Sequence, residues 1–199
     1  VKNFEYILLD LDGTLVNTEL LHYQAYQDMC SQRGFKLPWS FRRYCFAGHQ
    51  EASGLKDQIY EELPLLKEQE PDWLILYQEK KTAYLRLLTE GHVGLMPGVE
   101  DLLKSLKEHQ ILSCVVTHSP DEQVSWLRQQ HPILNTIPHW ITRHDYTNSK
   151  PHPESYLLAI EKFGKGLTKI IGFEDTPKGL RALKKTRALS VFLCAQDYP

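Results

Sequence analysis

The chain has 199 residues, 42% hydrophobic and 24% charged, with a formal net charge of −2. That length fits one domain, or one domain carrying a modest insert, and it buries about 70% of the unfolded surface without disulfides or a structural metal. The charge balance argues against a dedicated nucleic-acid binder, and no apolar run reaches the roughly 18 residues of a membrane span.

The opening Val1-Lys2-Asn3-Phe4-Glu5 lacks the charged-then-apolar order of a signal peptide. Cys30, Cys45, Cys114 and Cys194 are scattered, without Cys-x-x-Cys or paired Cys/His spacing, so they read as free thiols of a reducing compartment. The expectation is a cytoplasmic monomer with no nucleic-acid or membrane partner.

In chain order, Phe4-Glu5-Tyr6-Ile7-Leu8-Leu9-Asp10 is short, apolar and acid-terminated, which suits a buried strand. A helix is expected from about Glu19 to Arg33, capped by Thr18 and ended by Gly34. Ser40 caps a second short helix, Phe41 to Phe46, which Gly48 breaks, and a third runs from about Glu51 to Glu62. Pro71 opens a long helix, Asp72 to Thr89, with Trp73, Tyr77, Tyr84 and Leu88 on one side, and Gly91 closes it. Residues 16–91 therefore read as helices only.

The pattern then changes. Pro97-Gly98 opens a helix to about His109, and Ile111 to Thr117 is a β-branched strand. Ser119-Pro120-Asp121-Glu122 is a helix start in which Ser caps, Pro takes the first turn and Glu stands at the capping-box position. That helix ends near His131-Pro132. His139 to Thr142 is a short strand, Pro153 to Gly164 a helix, Lys169 to Phe173 a strand, Thr176-Pro177 a helix start and Ala188 to Cys194 a last strand. This alternation predicts an α/β fold, a parallel sheet with helices on both faces. Residues 1–15 and 92–199 form that core, and residues 16–91 are an all-helical insert.

Ligands of such sheets bind at the carboxyl ends of the strands, and four blocks fall there. Strand one runs into Asp10-Leu11-Asp12-Gly13-Thr14, where alternation puts Asp10 and Asp12 on one side and Gly13 turns the chain. Strand two runs into Thr117-His118-Ser119, a hydroxyl beside a helix start whose N–H groups attract anions. Lys150-Pro151 lies in a loop, and strand four ends in Glu174-Asp175-Thr176. Singly, these blocks also suit a turn, a cap, a solvated lysine and a dipole-favouring acid pair. Together they gather four carboxylates, whose repulsion calls for cations. A hard divalent ion bound by oxygens, plus Lys150, would neutralise them and attract phosphate.

In that order, Asp10-Leu11-Asp12-Gly13-Thr14, Val116-Thr117, Lys150-Pro151-His152-Pro153 and Gly172-Phe173-Glu174-Asp175-Thr176-Pro177-Lys178-Gly179 resemble the four motifs of the haloacid dehalogenase superfamily. The resemblance spans the chain and is to the helical-cap phosphatase branch, similar to phosphoglycolate phosphatases and β-phosphoglucomutases. It implies a Rossmann-like core with the insert as a cap, acting on a small phosphate monoester: a sugar phosphate, phosphoglycolate or a nucleotide.

The resemblance further implies Asp10 as the nucleophile that forms an aspartyl-phosphate, and Asp12 as the general acid and base. It implies Mg²⁺ held by Asp10, the Asp12 carbonyl and Asp175, with Glu174 as ligand or orienter. Thr117 and neighbouring N–H groups hold the phosphoryl oxygens, and Lys150 neutralises them. His118 and Ser119 are substrate-side candidates beside Thr117. On the cap the candidates are Arg42, Arg43, Tyr44, His49 and Lys56, with residues 15–18 and 90–96 as hinge.

His118 departs from the pattern, since relatives often carry Asn or a small residue there. Gly48 is followed by His49-Gln50-Glu51 and not by an arginine, which weakens a phosphosugar mutase as the alternative. Relatives often run somewhat longer, so the final edge of the core is expected to be reduced. Dehalogenase chemistry does not need an acid at Asp12, and no cap lysine stands out for a phosphonate hydrolase. A non-catalytic binding module on the same scaffold is the alternative of a different class.

Overall fold

The computed structural model describes residues 3–50, 54–91 and 93–194, without the side chains of His49 and Gln50. The chain divides into two compact units. One runs from the N-terminus to Asn17 and from Gly94 to Cys194, and the other from Thr18 to Val93.

The first unit is built on β1 (Tyr6–Leu9), α6 (Val99–Glu108), β2 (Leu112–Val116), α7 (Asp121–Gln130), β3 (His139–Ile141), α8 (Glu154–Phe163), β4 (Ile170–Glu174), α9 (Pro177–Leu183) and β5 (Leu189–Phe192). The strands form one parallel sheet in the order β3-β2-β1-β4-β5, in register Leu9↔Val115 and Leu9↔Phe173 around β1. All four residues of β1 are buried, as a central parallel strand covered on both faces requires. The chain steps outward from β1 to β2 and β3, then crosses back to β4 on the other side of β1. Right-handed crossovers place α6 and α7 on one face and α8 and α9 on the other. On the second face Tyr6, Leu8, Val116 and Ile170 pack with Tyr156, Ala159 and Leu183. The order reverses between β1 and β4, so a ligand crevice is expected outside their carboxyl ends.

The second unit contains α1 (Glu19–Gln32), α2 (Phe41–Gln50), α3 (Gly54–Glu62), α4 (Pro64–Gln69) and α5 (Trp73–Glu90). Its core gathers Tyr26, Met29, Leu37, Trp39, Ile59 and Leu76. No described helix is long and apolar enough to cross a membrane.

Several boundaries differ from expectation. Thr18 stands at the N-cap of α1 but its side chain makes no cap hydrogen bond. Ser40 does cap, with Oγ accepting from Arg43 N at 3.2 Å. Gly48 does not break α2, which continues to Gln50. An interior glycine costs a helix only about 1 kcal/mol relative to Ala, and Gly48 is buried on the helix. The expected start of the third helix at Glu51 lies outside the described residues, and α4 was not foreseen. The buried side of α5 is Leu76, Lys80, Ala83, Tyr84 and Leu88, while Tyr77 is exposed. Lys80 tolerates burial because its ammonium lies 2.7 Å from His22 Nδ1 and over the Tyr26 and Tyr84 rings at 5.1 and 5.0 Å.

Candidate active site

Asp10 follows β1 directly and is 8% exposed. Lys150 Nζ lies 2.5 Å from Asp10 Oδ1 and 2.7 Å from Glu174 Oε1, and it donates to the Val116 carbonyl at 2.9 Å. Glu174 ends β4 and accepts from the Tyr156 hydroxyl at 2.5 Å. The next residue, Asp175, is also buried. Carboxylate oxygens of Asp10, Glu174 and Asp175 lie within 4.8 Å of one another. Thr176 then starts α9, its Oγ1 accepting from Gly179 N at 3.2 Å. Each acid is thus carried to the crevice by the end of a buried strand.

Burial pushes the Asp10 carboxyl well above the ordinary carboxylate range; Lys150 pulls it down, while Glu174 and Asp12 add to the rise. For Lys150, burial works against the charge, but the Asp10 and Glu174 carboxylates outweigh it and hold the ammonium well above its usual value. Lys150 is therefore the charged partner of this group. Three crowded carboxylates against that ammonium leave an excess of negative charge in a desolvated place. Their donor set is all oxygen, the preference of a hard divalent cation such as Mg²⁺, so the residues present fit that ion.

Asp12 has different partners. Its Oδ2 accepts from Ser119 Oγ at 2.5 Å and from Thr117 Oγ1 at 3.4 Å, and its Oδ1 accepts from Gln123 Nε2 at 3.1 Å. Two expectations are corrected here. β1 ends at Leu9 and the chain bends at Leu11, so strict strand alternation does not extend to Asp12, whose carboxylate has hydrogen-bond partners other than the Lys150 of Asp10 yet lies near enough to raise the Asp10 carboxyl. The Asp12 side chain also lies outside the three-carboxylate group, although the expected metal contact through its carbonyl does not involve that side chain. Ser119 does not cap α7, where Pro120 takes the N-cap position; its hydroxyl is spent on Asp12 instead. Gln123, Tyr156 and Tyr146 were not foreseen, since nothing local in the sequence distinguishes a helical Gln or Tyr, or a loop Tyr, that reaches a strand end.

Gly13 has φ +79°, and a β-carbon there would overlap the Asp175 carboxylate. Both conditions demand glycine: the left-handed backbone costs other residues roughly 1–2 kcal/mol, and the cradle for Asp175 has no room. Gly13→Ala is therefore expected to displace Asp175 and to erase any Mg²⁺-induced rise in melting temperature. A wild-type shift in that variant would mean that Asp175 does not hold the ion.

The other candidates are dispersed. His118 is exposed and its Nδ1 lies 3.1 Å from Tyr146 Oη. Within the helical unit Arg42, Arg43 and Lys56 are exposed, with the Arg43 guanidinium 5.4 Å over the Trp39 ring. Tyr44 is not a surface contact as expected. It is 6% exposed and packs against the rings of Tyr23, Tyr26 and Phe41, because the apolar side of α2 faces the unit's own core. The side chain of His49 lies outside the described ones. The connecting segments run side by side, with Met96 N donating to Leu15 O at 2.9 Å and Asn17 N to Gly94 O at 3.0 Å.

Known proteins are similar to this chain in sequence or in fold. A "Phosphorylated carbohydrates phosphatase" of Thermotoga maritima is 27% identical over 180 residues, covering 90% of this chain and 80% of its own length. The crystal structure of CbbY from Rhodobacter sphaeroides in complex with phosphate superposes with a TM-score of 0.72 at 24% identity, covering 94% of this chain and 84% of that one. β-Phosphoglucomutase from Clostridium difficile superposes with a TM-score of 0.74 at 22% identity, covering 96% and 85%; at these identities the two superpositions show the fold alone. The family model described as haloacid dehalogenase-like hydrolase matches residues 7–192. With that match spanning nearly the whole chain, the protein belongs to the haloacid dehalogenase-like hydrolase family.

Proposed function

We propose that the protein is a Mg²⁺-dependent phosphatase that hydrolyses a small phosphate monoester through an aspartyl-phosphate on Asp10. The observation that carries this reading is the placement of Asp10, one carboxylate oxygen held by Lys150 at 2.5 Å and the group crowded by Glu174 and Asp175. A carboxylate nucleophile needs no base, but its repulsion from a phosphoryl group must be screened. Asp10, Glu174 and Asp175 would hold the ion, with the Asp12 carbonyl, and the bound ion supplies that screening and charge for the phosphoryl oxygens.

An Asp10 oxygen forms the bond to phosphorus as the ester oxygen leaves. Asp12 gives that oxygen a proton and later takes one from the water that cleaves the acyl phosphate, releasing inorganic phosphate and free Asp10. Ser119, Gln123 and Thr117 aim the Asp12 carboxyl, and Lys150 stabilises charge on Asp10 and the phosphoryl group. The helical unit serves as the cap that excludes water and selects the leaving group, with Arg42, Arg43, His49 and Lys56 as its candidate contacts.

The relative named for phosphorylated carbohydrates favours a sugar phosphate as substrate. Phosphate release from a panel of sugar phosphates, phosphoglycolate and nucleotides is the test. Activity is expected to need Mg²⁺, to vanish with a chelator and to return when Mg²⁺ is restored, and chelation is expected to lower the melting temperature as well. Isomerisation of β-glucose 1-phosphate without phosphate release would make it a mutase, and turnover that survives chelation would refute the metal-dependent reading.

A further inference from the structure

The turn after β2 is pinned from several directions. Thr117 N donates to Ile141 O at 2.9 Å, Ser119 N donates to Thr117 Oγ1 at 3.0 Å, and Arg143 N donates to Ser119 O at 3.1 Å. The Thr117 carbonyl is held by a side chain from far along the sequence: Tyr146 Oη donates to it at 3.0 Å. The Tyr146 hydroxyl oxygen also stands 3.1 Å from His118 Nδ1.

Tyr146 is itself fixed. It is 6% exposed, its carbonyl accepts from Arg143 Nη1 at 2.7 Å, and the Arg143 guanidinium lies 5.5 Å from its ring centre. The one-turn 3₁₀ helix before it, Arg143–Asp145, is closed by a reciprocal cap in which Thr142 N donates to Asp145 Oδ2 at 2.8 Å.

A phenol has one proton, and burial pushes the Tyr146 hydroxyl up to about 12, so it keeps that proton in neutral solution. A carbonyl can only accept. The proton therefore goes to Thr117 O, and the contact with His118 is a hydrogen bond only when Nδ1 is the donor. The C=O of a trans peptide and the N–H that follows it point in opposite directions. Holding Thr117 C=O toward Tyr146 thus aims the His118 N–H away from Tyr146.

We propose that Tyr146 is a positioning residue for phosphoryl binding: its hydroxyl sets the direction of the Thr117–His118 peptide, whose N–H receives a phosphoryl oxygen, and it holds His118 as the Nδ1–H tautomer. This rests on the hydrolase reading above. Tyr146 touches no reacting atom and acts through the peptide it orients.

Imidazole ¹⁵N NMR above about pH 8, where an ordinary histidine is neutral, reads the tautomer directly, with the His118 signals assigned by their loss in His118→Ala. Wild-type His118 is expected to carry its proton on Nδ1, and in Tyr146→Phe it is expected to shift toward Nε2–H. Kinetically, Tyr146→Phe is expected to raise KM and the inhibition constant of inorganic phosphate about tenfold, the scale of one lost hydrogen bond, with a smaller change in kcat. An Nε2–H tautomer in the wild type, or Tyr146→Phe with unchanged KM and phosphate inhibition, overturns the proposal. Should Tyr146→Phe not fold, the wild-type tautomer still decides. A wild type that hydrolyses no phosphomonoester sinks the hydrolase reading instead, and the tautomer measurement does not depend on turnover.

Discussion

Asp10→Asn is expected to reduce phosphate release by roughly 10⁴-fold or more, the scale on which removal of a nucleophile acts, while the protein stays folded. The amide has the shape of the carboxylate but a far weaker nucleophilic oxygen, so the acyl phosphate does not form. Folding should survive because Lys150 keeps its 2.7 Å contact with Glu174 and one buried negative charge disappears from a crowded place. The melting temperature is expected to equal or exceed that of the wild type without added metal. Magnesium should raise it less, since one carboxylate oxygen donor to the ion has become an amide. Phosphate release and thermal melting on the same preparation check both halves. Undiminished turnover would remove Asp10 from the nucleophile's role.

Lys150→Met is expected to be the most destabilising single change at the site. The wild-type Lys150 side chain is 8% exposed and its ammonium lies against two buried carboxylates. Taking away one member of a buried pair leaves an uncompensated charge and costs about 3–5 kcal/mol. A divalent ion at Asp10, Glu174 and Asp175 would restore part of the balance, and a ligand at 100 times its Kd stabilises by about 2.7 kcal/mol. The stability deficit of Lys150→Met should therefore shrink as Mg²⁺ is added, and the gain should exceed that of the wild type. Denaturant melts with and without the ion measure it. A deficit that does not respond to Mg²⁺ would mean that the three carboxylates do not bind it.

The parts of the site that could be read in the sequence were those with local signals. Asp10 directly follows a buried strand and Glu174 ends one, and a short apolar run closed by an acid is visible in a handful of residues. Thr176 caps α9 through its hydroxyl, as its place before Pro177 suggests. Gly13 precedes a turn and takes a positive φ. What failed was local reasoning applied where a distant partner outbid the near one. Ser119 has the look of a cap, yet its hydroxyl goes to Asp12, a carboxylate at 2.5 Å. Gly48 looks like a stop, but a buried helix face outweighs its weak helix propensity. Tyr44 looked available for a ligand and is spent on aromatic packing inside the helical unit.

The amino-acid order by itself determined that a parallel α/β sheet would form, that an all-helical stretch would interrupt it after the first strand, and that acids, a hydroxyl and a lysine would stand at strand ends. Those features depend on periodicity and on residues a few places apart. Only the tertiary structure decided which groups meet: Lys150 with Asp10 and Glu174, Gln123 and Ser119 with Asp12, Tyr146 with the Thr117 carbonyl. In sequence Lys150 and Glu174 are 24 residues apart, Tyr146 and Thr117 29, Gln123 and Asp12 111, and Lys150 and Asp10 140. Their pairing depends on which strands become neighbours when the crossovers close, and that is settled by burial of the whole sheet and not by any segment of it.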